Sequence, residues 1–273
     1  MAERTRPSHL TAQRIVVTGA AGGIGRALVA ALREAVPDAR IAAADRDAAA
    51  LEHAWAEDRH IIPITADVST PEGNDALFAA ADAALGGIDL FIANAGFAYY
   101  ERYDKADWAR LEAICRVNVL APLYALARMR ERARPGQPYT VVFTASAMAH
   151  VGVPGYAVYA GTKAALDRFA EAYRYERAPG ERLMLVYPIG TRTGFFARAA
   201  DRPAPSDVPL MPTQSPEEVA AAVVRGLQRG AHAVYPSRTF RFLLAVRGIV
   251  PVLRLAQMSS ARAFAAWQRG ASS

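Results

Sequence analysis

The stretch Arg14-Ile15-Val16-Val17-Thr18-Gly19-Ala20-Ala21-Gly22-Gly23-Ile24-Gly25 decides how this chain is read. Its first five residues are brief, apolar and rich in β-branched side chains, as in a buried strand. Glycines then crowd a short turn, and a helical pattern runs over 23–35. A strand that passes through a glycine turn into a helix brings backbone N–H groups and a helix N-terminus to one point. That is a ready site for a pyrophosphate. A β-carbon in such a turn blocks the tight bend and the close approach of the backbone. A glycine cluster alone also serves as a plain structural turn; the flanking strand and helix favour the phosphate reading.

Working outward, strands are predicted at 41–44, 61–65, 89–93, 139–144 and 183–187, with a short one near 233–235. Helical stretches lie between them, notably 71–85, 106–133 and 157–178. This alternation predicts an α/β fold: a doubly wound Rossmann-type parallel sheet of about seven strands with helices on both faces. Five prolines in 203–216 mark a loop. Ser215 before Pro216-Glu217-Glu218 is a helix start, with a cap, a proline in the first turn and acids near the positive end of the helix dipole. We expect one domain over 1–236 and a basic amphipathic helical extension over 237–273.

Asp45 ends the second strand, 26 residues after Gly19. A carboxylate there can accept from both hydroxyls of an adenosine ribose, and it repels a 2′-phosphate. That favours NAD over NADP. Arg46 is the counter-argument, since an arginine there can answer a 2′-phosphate; the alternative is an exposed loop arginine.

Composition narrows the classes. Of 273 residues, 52% are hydrophobic, which excludes disorder. The single cysteine, Cys115, excludes an intrachain disulfide and reads as a small buried hydrophobe. No Cys/His cluster has metal-ligand spacing, so no metal is expected. The N-terminal residues lack an apolar signal-like run, and nothing approaches the ~18 apolar residues of a membrane span. The expected location is cytoplasmic. Net charge is +6, but 219–273 contains eight arginines and no Asp, Glu or Lys, so the preceding 218 residues sum to −2. The basicity belongs to the tail. No nucleic-acid motif accompanies it, so no nucleic-acid partner is expected. Basic amphipathic helices can lie on anionic membranes, which makes peripheral membrane contact one reading. A lid over the substrate pocket or a subunit contact are the others.

Further motifs follow in order: Asp67-Val68 after strand three, Asn94-Ala95-Gly96 after strand four, Asn118 in Cys115-Arg-Val-Asn-Val-Leu-Ala-Pro122, Ser146 after strand five, and Tyr159-Ala-Gly-Thr-Lys163. Together they resemble the short-chain dehydrogenase/reductase family over residues 12–236. Thr18, Gly19, Gly23 and Gly25 fit its TGxxxGxG turn, and Tyr159 and Lys163 its YxxxK pair, 13 residues after Ser146. The resemblance implies catalysis by Asn118, Ser146, Tyr159 and Lys163. It implies cofactor contacts from Gly19, Gly23, Ile24, Gly25, Asp45, Arg46, Asp67, Val68, Asn94, Ala95, Gly96, Tyr159, Lys163 and Pro188. The family usually has Pro-Gly after strand six; here the run is Pro188-Ile189-Gly190-Thr191-Arg192-Thr193. Thr191 and Thr193 still align with the positions that hold the nicotinamide carboxamide and the pyrophosphate. A homodimer or homotetramer is also implied.

The chemistry can be argued from the residues. Tyr159 and Lys163 are four apart on a predicted helix and share a face. A nearby ammonium favours the phenolate, so the tyrosine can exchange a proton with an alcohol or ketone. Ser146 would hydrogen-bond the substrate oxygen, Lys163 would hold the nicotinamide ribose and Asn118 would position a water that relays the proton. Tyr156 is an internal control, because its i+4 neighbour is Ala160. The expected activity is hydride transfer between NAD(H) and a small-molecule secondary alcohol or ketone. Tyr99, Tyr100, Phe195 and Phe196 hint that this substrate is apolar. His150, Tyr156 and Phe196, with Ser146, are the candidate substrate contacts, although His150 also reads as a loop histidine. Alternatives are an NADPH ketoreductase of a carrier-bound or lipid-like carbonyl, and a cofactor-binding sensor or membrane adaptor on the same fold.

Overall fold

The structure is a computed structural model, and it describes residues 10–134, 136–195, 199, 213–245 and the single positions 258, 262 and 266. Seven strands form one sheet: β1 (Arg14–Thr18), β2 (Arg40–Asp45), β3 (Ile61–Thr65), β4 (Leu90–Ala93), β5 (Tyr139–Thr144), β6 (Glu181–Val186) and β7 (Ala233–Val234). Their spatial order is β3-β2-β1-β4-β5-β6-β7, and every pairing is parallel. Parallel neighbours need a crossover, which the helices supply.

Alternation along the strands builds two cores. Ile15 and Val17 of β1 and Leu90 and Ile92 of β4 face one side. They pack there under α1 (Gly23–Ala35), through Leu28 and Leu32, and under α7 (Pro216–Gln228), through Val219, Val223 and Leu227. Val16 and Phe91 face the other side. They meet Leu77 and Phe78 of α3 (Pro71–Leu85), Leu126 and Met129 of α5 (Ala121–Glu131) and Leu166 of α6 (Ala157–Tyr173). Burying each such side chain contributes about 1.5–3 kcal/mol. Strand faces of period two and helix faces of period near 3.6 thus meet on both sides of the sheet.

Two short helices complete the first two thirds, α2 (Ala48–Trp55) and α4 (Trp108–Cys115). The stretch 106–133 is not one regular helix. Between α4 and α5 lies a π-helical turn, Arg116–Leu120, in which the Ala121 N–H bonds to the Arg116 carbonyl. Pro122 explains it: it has no N–H to give the Asn118 carbonyl four residues back. The helix expected over 157–178 ends at Tyr173. α7 starts as its sequence predicts, with a reciprocal capping box between Ser215 and Glu218.

The extension begins as α8 (Arg238–Ala245), whose Phe240 is buried against Ala147, Val151 and Ile189. Residues 246–273, apart from 258, 262 and 266, lie outside the described residues, as does the expected break near 248–251. Among the described residues no helix is long and apolar enough to cross a membrane. Among them there is also no cluster of three or more His, Cys, Asp or Glu fit for a metal ion.

Candidate active site

β1 and β4 are neighbours although five elements separate them in sequence, so the crossovers reverse direction between them. At such a switch point the carboxyl ends of the strands open into a crevice. Here that crevice is a cavity of about 820 Å³, lined by the ends of β1, β2, β4, β5 and β6. Its volume lies within the range of small-molecule and cofactor sites, about 300–1,000 Å³.

One end is built from backbone. Gly19 has φ +67°, and a Cβ on it would stand 2.9 Å from the Ala95 Cα. A Cβ on Gly25 would stand 1.9 Å from the Gly19 carbonyl oxygen. The Thr18 hydroxyl ties the turn to β4 by accepting from the N–H groups of Asn94 and Ala95, both at 3.0 Å. Asn94 Nδ2 donates back to the Thr18 carbonyl at 3.0 Å. Thr193 closes over Gly23, where a Cβ would strike its methyl group. Asp45 Oδ2 accepts from the Ala21 N–H at 3.1 Å, which fixes the carboxylate at the edge of the turn. Arg46, Asp67 and Val68 line the same end. The Ser69 N–H, bonded to Asp67, holds that carboxyl below its usual range.

These features fit a dinucleotide: an unblocked glycine cradle, a helix N-terminus and a carboxylate at the tip of β2. Gly96 continues the cradle, because a side chain there would crowd Asn118 Oδ1 at 3.2 Å and Lys163 Nζ at 3.5 Å.

The other end is built from side chains. α6 starts beside the β5 end and presents Tyr159 and Lys163 on one face, both buried. Lys163 Nζ donates to the Thr144 carbonyl at 2.7 Å and lies 5.7 Å from the Tyr159 ring centroid. Burial pulls the ammonium down to about 8 and pushes the phenol up to about 12, with the Ser146 hydroxyl opposing the latter shift. Lys163 points a proton at that carbonyl rather than at the phenol, and burial is the leading cause of both shifts. Ser146 caps the turn Ala147–Ala149, its Oγ accepting from the Met148 N–H at 3.1 Å.

Asn118 is fully buried in the π turn. Its Oδ1 accepts from the Phe97 N–H at 3.1 Å, and its Nδ2 donates to the Phe97 carbonyl at 2.9 Å and to Thr162 Oγ1 at 3.1 Å. Its side chain therefore holds the loop after β4, and its main-chain carbonyl lacks the usual helical donor because of Pro122. Sequence reading placed Asn118 but missed this role; the proline four residues on was the available signal. It also missed Thr18 Oγ1, Thr162 and the Thr144 carbonyl, whose parts are set by packing across the sheet.

Phe97, Tyr99, Met148, Val153, Tyr156 and Phe195 wall the substrate end. The Phe195 ring meets Tyr159 edge-on at 5.7 Å. His150 lies outside this lining. Its ring lies 4.8 Å from that of Tyr187, tilted by 34°, and burial lowers its proton affinity. Tyr100 is also displaced from the cavity, packing behind Tyr156 at 4.9 Å. Thr191 lines the cavity, but its hydroxyl accepts from Gln214 Nε2 at 3.2 Å and donates to the Ile189 carbonyl at 2.9 Å. Gln214, a further residue that sequence reading missed, thus shares the hydroxyl assigned to the carboxamide. Pro188 lines the cavity as expected. Phe196 is outside the described residues.

A parallel sheet in this order with such a cleft is a Rossmann-type α/β fold. The short chain dehydrogenase family model matches residues 13–203, and the chain belongs to the short-chain dehydrogenase/reductase family of oxidoreductases. Among curated relatives it is 26% identical over 241 residues to a 3-ketodihydrosphingosine reductase of Bos taurus, covering 82% of this chain and 71% of that one. It is 30% identical over 182 residues to an L-xylulose reductase of Bos taurus, covering 63% and 68%. A Burkholderia phymatum short chain dehydrogenase/reductase solved with NAD superposes with TM-score 0.74 at 20% identity, covering 90% of this chain and 96% of that one. A Sphingobium yanoikuyae short-chain dehydrogenase solved with NADPH gives 0.72 at 23%, covering 85% and 91%.

Proposed function

We propose that this protein transfers a hydride between NAD(H) and an apolar secondary alcohol or ketone, with Tyr159 as the general acid and base. The observation that carries this reading is the convergence of Ser146, Tyr159 and Lys163 at the apolar end of the cavity whose other end is the glycine turn and Asp45.

Bound nicotinamide supplies or accepts the hydride. The protein's own residues handle the proton. Ser146 donates a hydrogen bond to the substrate oxygen and fixes it beside Tyr159. In reduction the Tyr159 phenol, held in its protonated form by burial, gives its proton to that oxygen as the carbonyl becomes an alcohol. Oxidation is the reverse of this step and begins from the phenolate, which the positive charge of bound NAD would favour over the phenol of the free protein. Lys163 holds the nicotinamide ribose, and the Asn118 carbonyl receives a water on the proton path. The aromatic walls exclude bulk water and suit a substrate with little polarity beyond its carbonyl. Asp45 favours the unphosphorylated ribose; Arg46 beside it is the observation that favours the NADPH reading. We further propose a homodimer or homotetramer located in the cytoplasm.

The test is a panel of alcohols and ketones, including long-chain and steroid-like compounds, run with NAD(H) and NADP(H) while nicotinamide fluorescence is followed. Turnover of an apolar ketone with NADH bound more tightly than NADPH is expected. Tighter NADPH binding contradicts the role given to Asp45, and a panel with no turnover contradicts the activity.

A further inference from the structure

α8 has two unlike sides. Inward, Phe240 is only 3% exposed and packs on Ala147, Val151 and Ile189, all three of which also line the substrate cavity. Outward, Arg238, Arg241, Phe242 and Ala245 are exposed. Their spacing of i, i+3, i+4 and i+7 makes them one continuous helix face. Phe242 is 67% exposed, flanked by the two arginines. Along α8 the charge is one-signed: it carries Arg238 and Arg241 and no Asp, Glu or Lys.

We propose that this face of α8 docks on an anionic lipid surface. An exposed aromatic between arginines matches both layers of such a surface, acyl boundary and phosphate. An acidic protein face would answer the arginines but not the exposed Phe242 between them, whereas an anionic lipid surface supplies both an acyl layer and phosphates. Docked in this way, α8 stands between the lipid and the cavity, with Phe240 backing the cavity wall. The proposal goes beyond the reaction assigned above and does not depend on it.

The full chain is mixed with vesicles of phosphatidylcholine alone and with vesicles containing phosphatidylglycerol, then sedimented at fixed salt. The protein is expected to sediment with the anionic vesicles only. The Arg238→Gln/Arg241→Gln/Phe242→Ser variant is expected to partition about 30-fold more weakly or worse, given the usual contribution of each basic residue near such a surface. Its thermal unfolding and NADH binding are expected to match the wild type, which separates this test from that of the reaction. Equal sedimentation with neutral vesicles, no sedimentation of the wild type, or a loss under about threefold in the variant overturns the proposal. Retention on soluble polyglutamate without vesicle binding reassigns the face to an acidic protein and overturns it as well.

Discussion

The two ends of one cavity are built from different materials. The cofactor end consists of glycines, main-chain N–H groups and side chains of Thr18, Asn94 and Asp45 that bond back to the turn. The substrate end consists of aromatic and apolar side chains on the loops after β4, β5 and β6. Backbone construction leaves a fixed spacing in sequence, because only glycine fits at particular positions. Side-chain construction leaves no such record, since many apolar sets can wall a chamber of similar size.

The largest effect expected on cofactor affinity is at the glycine turn. Gly25→Ala sets a Cβ 1.9 Å from the Gly19 carbonyl, and neither backbone can yield without opening the turn. NADH affinity is expected to fall about 100-fold or more by fluorescence titration, given the cost of distorted backbone at such sites. Affinity within about threefold of wild type would mean that the turn does not hold the cofactor.

Lys163→Arg comes next. The pocket around Nζ is closed by Gly96, Asn118 and the Thr144 carbonyl, and a planar guanidinium does not fit where an ammonium does. Turnover is expected to drop by about 100-fold, within the range of acid–base effects, while the fold persists by circular dichroism.

pH sharpens the account of the substrate end. Lys163 is a cation below about 8 and loses its charge above that value, whereas Tyr159, near 12, remains a phenol throughout. Ketone reduction should therefore be flat through neutrality and fall about tenfold from pH 7 to pH 9 as the ammonium deprotonates. A rate that rises over that interval contradicts the assignment of Lys163.

The smallest effect is expected at Tyr156→Phe. This tyrosine is as buried as Tyr159 and three residues away on the approach to α6, yet its i+4 neighbour is Ala160. Burial raises its phenol too, so a perturbed proton affinity does not by itself distinguish the two. Its kcat should change less than about threefold, with any effect confined to KM for the substrate whose wall it forms.

The same contrast explains what was legible beforehand. Periodicity located the strands to within two residues, and the spacing from Gly19 to Asp45 picked out a turn and a strand tip that the fold joins at one end of the cavity. The π turn at 116–120 was not legible from helical period alone, because it depends on an absent N–H at Pro122. His150 was not placed either: being four residues from Ser146 brings it near in sequence, but the turn at 147–149 swings it away from the cavity and onto Tyr187. Thr191 lines the cavity, yet Gln214, more than twenty residues on, takes a share of its hydroxyl through a contact that only tertiary structure creates. The Tyr159–Lys163 pair was legible as a helix pair, but the balance between burial and charge was not, since burial is a property of the fold.

The most direct test of the central claim is Tyr159→Phe, with turnover of an apolar ketone and NADH affinity measured on the same preparation. The account predicts a turnover loss of about 1,000-fold or more with NADH affinity within about twofold of wild type. Undiminished turnover in that variant would contradict it.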